Sequence, residues 1–192
     1  TRSMLSLESP DNSPTPYPMR EITFADAALF CNWLSLREGR KPCYERTGRM
    51  LPQEGPRAAD LWRVVPQANG YRLPWACEWI RACRGGTLTE YAFGNHNQRL
   101  RDYGVFQDNS GGEVARVRSR RCNAWGLFDL HGNVFEWCND RADSDKFRYI
   151  VQGGCFSSSA GDCAAQPMRK ESARRGAATR SPLLGMRLVI RP

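Results

Sequence analysis

Residues 123–140 read NAWGLFDLHGNVFEWCND, and their core, HGNVFEW at 131–137, carries the most information per residue in the chain. Gly132 permits positive φ, and the Asn133 amide oxygen and Glu136 carboxylate lie three positions apart. With backbone carbonyls they can converge on a hard cation, and an all-oxygen set suits Ca2+. The same residues read equally as a rigid turn. In that case Asn133 and Glu136 bond buried backbone groups, and Phe135 and Trp137 anchor the core.

Working outward toward the N-terminus, residues 71–86, YRLPWACEWIRACRGG, predict a helix after Pro74. Ala76, Trp79, Ile80 and Cys83 fall at helical spacing, and Gly85-Gly86 stops it. Further back, ITFADAALFCNWLSLREG at 22–39 predicts a second amphipathic helix. Thr23 is its N-cap, with Asp26 three residues on; Ala27, Phe30, Trp33, Leu34 and Arg37 form its stripe, and Gly39 ends it. The span Lys41–Gly70 between them holds Pro42, Pro52, Pro56 and Pro66 and reads as a long connection or insertion. Residues 1–18, with four prolines, read as an extended arm before a domain at 19–192. Beyond the second helix only short strand candidates stand out, at Val114–Arg118, Tyr149–Gln152 and Met186–Ile190. No internal repeat is present. The expected class is α+β: a single irregular, loop-rich domain with two main helices and short antiparallel strands.

The length of 192 residues suits one buried core, and 41% hydrophobic with 25% charged residues excludes a disordered or fibrous chain. No apolar run approaches a membrane span, and Thr1–Pro18 lacks the form of a signal peptide, so a soluble, preferentially cytoplasmic protein is expected. The net charge is +8, with 28 basic residues of which only Lys41, Lys146 and Lys170 are lysine. Residues 164–192 hold seven basic residues against the single acid Glu171. Such a face suits an acidic protein or anionic ligand, and nucleic acid is the less favoured partner. A plain solvated face is the other reading. Eight cysteines without Cys-x-x-Cys spacing, beside only two histidines, disfavour thiolate zinc and disulfide staples; reduced core thiols are expected.

The three quoted segments, followed by Gln152-Gly153-Gly154-Cys155 and Gly185-Met186-Arg187, resemble the formylglycine-generating enzyme, or sulfatase-modifying factor, family across residues 17–192. The resemblance implies a domain of the C-type-lectin-like type with long ordered loops. It also implies Ca2+ at the positions matching Gly132, Asn133, Val134 and Glu136. The family's Met-Gly and Glu-Val-Thr-Asn-like N-terminal segments have no match here, nor does its second calcium loop. Trp75-Ala76 stand where the family usually has Thr-Glu.

The family's oxidase chemistry uses two cysteines in a Cys-x-x-x-x-Cys arrangement to hold Cu(I), a soft ion suited to sulfur. Here GGCFSSSAGDC places Cys155 directly after Gly154 and Cys163 eight positions later. The positions matching the catalytic pair are Ser158 and Cys163, so copper and oxidase activity are expected only if Cys155 and Cys163 can share a metal. Iron-using relatives rely on a His-rich partner domain, and His96 and His131 cannot build one. The competing expectation is a binding module like the retroelement-diversified variable proteins of this fold. It would act through C-terminal loop residues Phe156, Ser157, Ser158, Ser159 and Asp162, with Arg169 and Arg174 at a basic rim. The run from Cys155 to Ala165 contains no Gln, Lys, Glu, Met or Trp, in keeping with that type of diversification.

Overall fold

The computed structural model describes residues 16–50, 59–142, 145–166 and 174–190. Most of the proline-rich arm and Arg169 lie outside them.

Helix α1 (Phe24–Arg37) starts where the capping signal places it. The Thr23 hydroxyl accepts the Asp26 N–H at 3.1 Å, and the Asp26 carboxylate accepts the Thr23 N–H at 2.8 Å. Its inward face is Phe24, Ala27, Ala28, Cys31, Leu34 and Ser35, a strict i, i+3, i+4 series whose small members let the helix approach the core closely. The expected stripe therefore needs correction. Trp33 is 49% exposed and Arg37 faces solvent with it, its guanidinium 5.2 Å from the indole centroid.

Lys41–Gly70 is also corrected, because it carries an antiparallel hairpin of β1 (Tyr44–Met50) and β2 (Ala59–Val64), with a register shift between Arg46 and Gly48. Strand β3 (Tyr71–Arg72) leads through Pro74 into α2 (Ala76–Arg84). There the Glu78 carboxylate accepts the Trp75 N–H at 2.8 Å, and Gly85 closes the helix at φ 58°. Trp79 and Cys83 are its buried residues, with Ala76 and Ile80 partly buried beside them.

A short helix α3 (Leu100–Tyr103) precedes β4 (Gly104–Val105), which pairs with β5 (His131–Gly132). Strands β6 (Phe135–Ala142), β7 (Asp145–Gln152), β8 (Arg174–Gly176) and β9 (Leu184–Gly185) form a sheet in the order β8-β7-β6-β9. Strand β10 (Val189–Ile190) pairs with β3. Not all pairs are antiparallel: β4–β5 and β6–β9 run parallel, since each joins segments that arrive from distant parts of the chain.

The core lies between α1, the hairpin and the β6–β7 face. The Phe24 ring stacks on Tyr149 at 3.6 Å and meets Trp137 edge-on at 5.9 Å, while Trp137 Nε1 donates to the Ile22 carbonyl at 3.1 Å.

Two strand expectations shift. Val114–Arg118 forms no strand, because the backbone N–H and C=O of Ala115 are both taken by the Asn133 side-chain amide, at 3.0 and 3.2 Å, instead of by a ladder. Of Met186–Ile190, only Val189–Ile190 is extended and paired. No helix among the described residues is long and apolar enough to cross a membrane.

Candidate functional site

The HGNVFEW segment sits at the junction of the small parallel pair and the main sheet. Gly132 and Asn133 both adopt positive φ, 107° and 66°. At Gly132 a side chain would also collide with the Val105 carbonyl, so only glycine fits between β4 and β5. Asn133 is fully engaged. Its N–H donates to Val105 O at 2.7 Å, its carbonyl accepts from Phe156 N at 2.9 Å, and its amide clasps Ala115. One asparagine thus ties β4 and two loops together.

Glu136 is buried, and its carboxylate accepts from Trp79 Nε1 at 2.6 Å and from Arg187 Nε and Nη2, each at 2.9 Å. Arg187 Nη2 also donates to the Phe128 carbonyl at 2.9 Å. Burial works against the Arg187 charge, but the Glu136 carboxylate outweighs it and holds the pKa above its ordinary value. Asp129 nearby is pushed up, chiefly by burial. His131 is buried too: Nδ1 lies 2.8 Å from the Cys163 carbonyl, and Nε2 accepts the Ala92 N–H at 3.2 Å. These partners assign the proton to Nδ1 of a neutral ring. Burial lowers its pKa from 6.5 to about 4, with the Cys163 carbonyl opposing.

Ca2+ asks for six to eight oxygen ligands. The two Glu136 oxygens are occupied by three N–H donors, one guanidinium among them, and the side-chain and main-chain oxygens of Asn133 each accept an N–H. Only the Gly132 and Val134 carbonyls are left from the expected set. Among the described residues no group of three His, Cys, Asp or Glu side chains is placed to hold a metal. As arranged, these residues do not fit calcium, and Arg187 supplies the positive charge that Glu136 faces.

The C-terminal loop residues gather in one turn ending in a 3-10 segment at Ala160–Cys163. Ser157 and Ser159 are exposed, Phe156 and Asp162 are partly buried, and Ser158 points inward, its hydroxyl accepting the Cys155 N–H at 2.9 Å. The Ser159 hydroxyl donates to Asp162 at 2.7 Å. Arg174 is not part of this turn but lies in β8, which pairs with β7, and is half-buried. Cys155 and Cys163 are buried, 1% and 0% exposed. Cys155 Sγ lies 3.2 and 3.3 Å from the Ser157 and Ser158 hydroxyls, and the Cys163 thiol is pushed up by burial first, then by Cys155 and Asp162. None of the eight cysteines forms a disulfide.

The sequence matches the Sulfatase-modifying factor enzyme 1-like domain family over residues 1–192. The chain belongs to that family. This sulfatase-modifying-factor domain is 28% identical to the chaperone protein LppX of Paenibacillus barcinonensis over 167 residues, 73% of this chain and 60% of LppX. It is 25% identical to the formylglycine-generating enzyme of Mus musculus over 148 residues, 69% of this chain and 30% of that enzyme. Among solved structures, Treponema denticola variable protein 1 superposes with TM-score 0.77 at 24% identity, covering 97% of this chain and 75% of that one, a likeness of fold. The domain therefore spans only part of the two relatives compared by sequence, 60% of one and 30% of the other.

Two participants of the junction escaped sequence reasoning. Arg187 was visible only as part of a closing Gly-Met-Arg, and Trp79 only as a helix-face residue. Their partner Glu136 lies 51 and 57 positions away, beyond any local spacing rule.

Proposed function

We propose that this sulfatase-modifying-factor domain is a binding module and not a copper oxidase. It would present the turn at 156–162, with Arg174 on the neighbouring strand, to a protein or anionic ligand. The observation that carries this reading is the state of the two loop cysteines. Both are buried; the Cys155 sulfur is shared with two serine hydroxyls, and the Cys163 thiol is held protonated by its surroundings. Cu(I) is captured by a pair of thiolates, and the surroundings of Cys163 disfavour a thiolate there. Ser157 and Ser159 supply exposed hydroxyls on a turn clamped from below by Asn133 and Gln107, a rigid base suited to recognition. The relative named a chaperone, at 28% identity, favours protein as the partner class.

The test is a Cu(I) titration against a chelating competitor, run alongside mass spectrometry of a sulfatase-type Cys-containing peptide incubated with copper-loaded protein and oxygen. The expected result is no stoichiometric copper and no aldehyde product. One Cu(I) per chain, lost in both Cys155→Ser and Cys163→Ser, together with conversion of the peptide cysteine to formylglycine, establishes the oxidase reading instead.

A further inference from the structure

We propose that a cavity between the β1–β2 hairpin and the β6–β7 face binds a small planar aromatic carboxylate, a ligand class separate from whatever the C-terminal turn engages. The cavity holds about 580 Å³. That falls within the roughly 300–1,000 Å³ usual for small-molecule sites.

Its walls are aromatic: Phe24, Tyr44, Trp62, Trp75 and Tyr149 all line it. Phe24, Tyr44, Trp62 and Tyr149 are buried and form the floor; Trp75, 36% exposed at the start of α2, stands at the mouth. Such a slot favours a flat ring by offset or edge contacts.

Charge decides what the ring must carry. Two arginines, Arg63 and Arg141, line the cavity, and among the described residues no Asp or Glu does. Arg141 is fixed in place: its Nη2 donates to the Trp62 carbonyl at 2.8 Å and its guanidinium lies 5.5 Å from the Tyr149 centroid. It offers a positive field that costs little reordering when an anion arrives. Arg63 pairs with Glu45 across the hairpin, an exposed ion pair of the kind that contributes little and exchanges readily. A cationic ligand would meet both arginines unfavourably, which excludes the alkylammonium guests that aromatic cages otherwise suit.

The polar groups sort themselves in the same way. The Asn139 amide and the Tyr44 hydroxyl also line the site but are committed to each other at 2.6 Å and to the backbone of Leu73 at 2.6 and 2.9 Å. Trp62 differs, because its buried indole N–H has no acceptor among the described residues. A carboxylate oxygen is an acceptor that serves this donor and the guanidinium field together.

The experiment is calorimetric titration of the whole chain with 2-naphthoate, with the neutral 2-naphthalenemethanol as isostere. Saturable binding of naphthoate is expected, with the alcohol weaker by about tenfold or more. Arg63→Gln, at an exposed position that leaves the fold intact, should weaken naphthoate about tenfold and leave the alcohol unchanged. Trp62→Phe, which keeps a ring and removes the N–H, should also weaken naphthoate; if that variant fails to fold, Arg63→Gln and the isostere carry the test. Absence of saturable binding, equal affinity for acid and alcohol, or naphthoate binding indifferent to Arg63→Gln overturns the proposal. The C-terminal turn shares no residue with this cavity, so neither result bears on the copper and peptide test.

Discussion

Arg187 and Glu136 show how much one buried pair can hold. Their side chains are each 7% exposed, and the carboxylate also carries the Trp79 indole N–H. Removing one member leaves the other charged and desolvated, a loss of about 3–5 kcal/mol, whereas removing both charges costs far less. Arg187→Met should therefore destabilise the domain strongly in urea unfolding, and adding Glu136→Gln should recover most of the loss. Additive effects of the two changes would contradict the pair as described. At this scale the sequence was informative about position and silent about partner. Spacing placed Asn133 and Glu136 together at a tight turn; Asn133 takes the turn at positive φ, whereas Glu136 lies in β6 and bonds side chains, not backbone groups. Which groups satisfy them was illegible, because Ala115, Phe156 and Arg187 arrive from three other loops.

Among the elements, β5 depends on a histidine that must stay neutral. In the folded chain His131 resists protonation down to about pH 4. The unfolded chain takes that proton near pH 6.5. Between those values the unfolded state binds more protons, so this contribution is complete above about pH 6.5 and is lost as the pH falls toward 4, by about 3 kcal/mol in all. Urea unfolding at several pH values should show that slope in the wild type and a shallower one in His131→Gln; parallel profiles would remove His131 as the cause. Local pattern served the helices well, since capping residues and terminal glycines act within a single turn. It failed for the exposed side of α1, where Trp33 packs with Phe30 and Arg37 on the surface and mimics a core stripe. It failed again at the β1–β2 hairpin, whose proline-rich surroundings concealed the pairing of 44–50 with 59–64.

For the molecule as a whole, the absence of a free oxygen set at the GNV turn predicts indifference to calcium. Melting temperatures in millimolar Ca2+ and in EDTA should agree; a rise of about 4 °C or more with Ca2+ would mean that ligands rearrange to form a site. The family was legible through the resemblance of three motifs, and the loop-rich α+β class through two helix patterns followed by short strand candidates among turn residues. The cavity was not legible, since it is assembled from α1, the hairpin, the start of α2 and both central strands.

The distance over which α1 finds its partners also bears on how the domain is made. The Phe24 N–H bonds the Ala177 carbonyl, Arg180 reaches Asp26 across 154 positions, and Trp137 reaches Ile22 across 115. Contact order is therefore high, and folding belongs in the millisecond-to-second range of such topologies. On a ribosome adding about 5–20 residues per second, β1–β3 reach α1 within roughly 2–7 s, but the β6–β7 face that completes its cover is finished only after roughly 6–23 s. Until then Phe24 lacks its Trp137 and Tyr149 partners while Leu29, Trp33 and Leu36 stand exposed on the other side, leaving nascent α1 open to association on two faces.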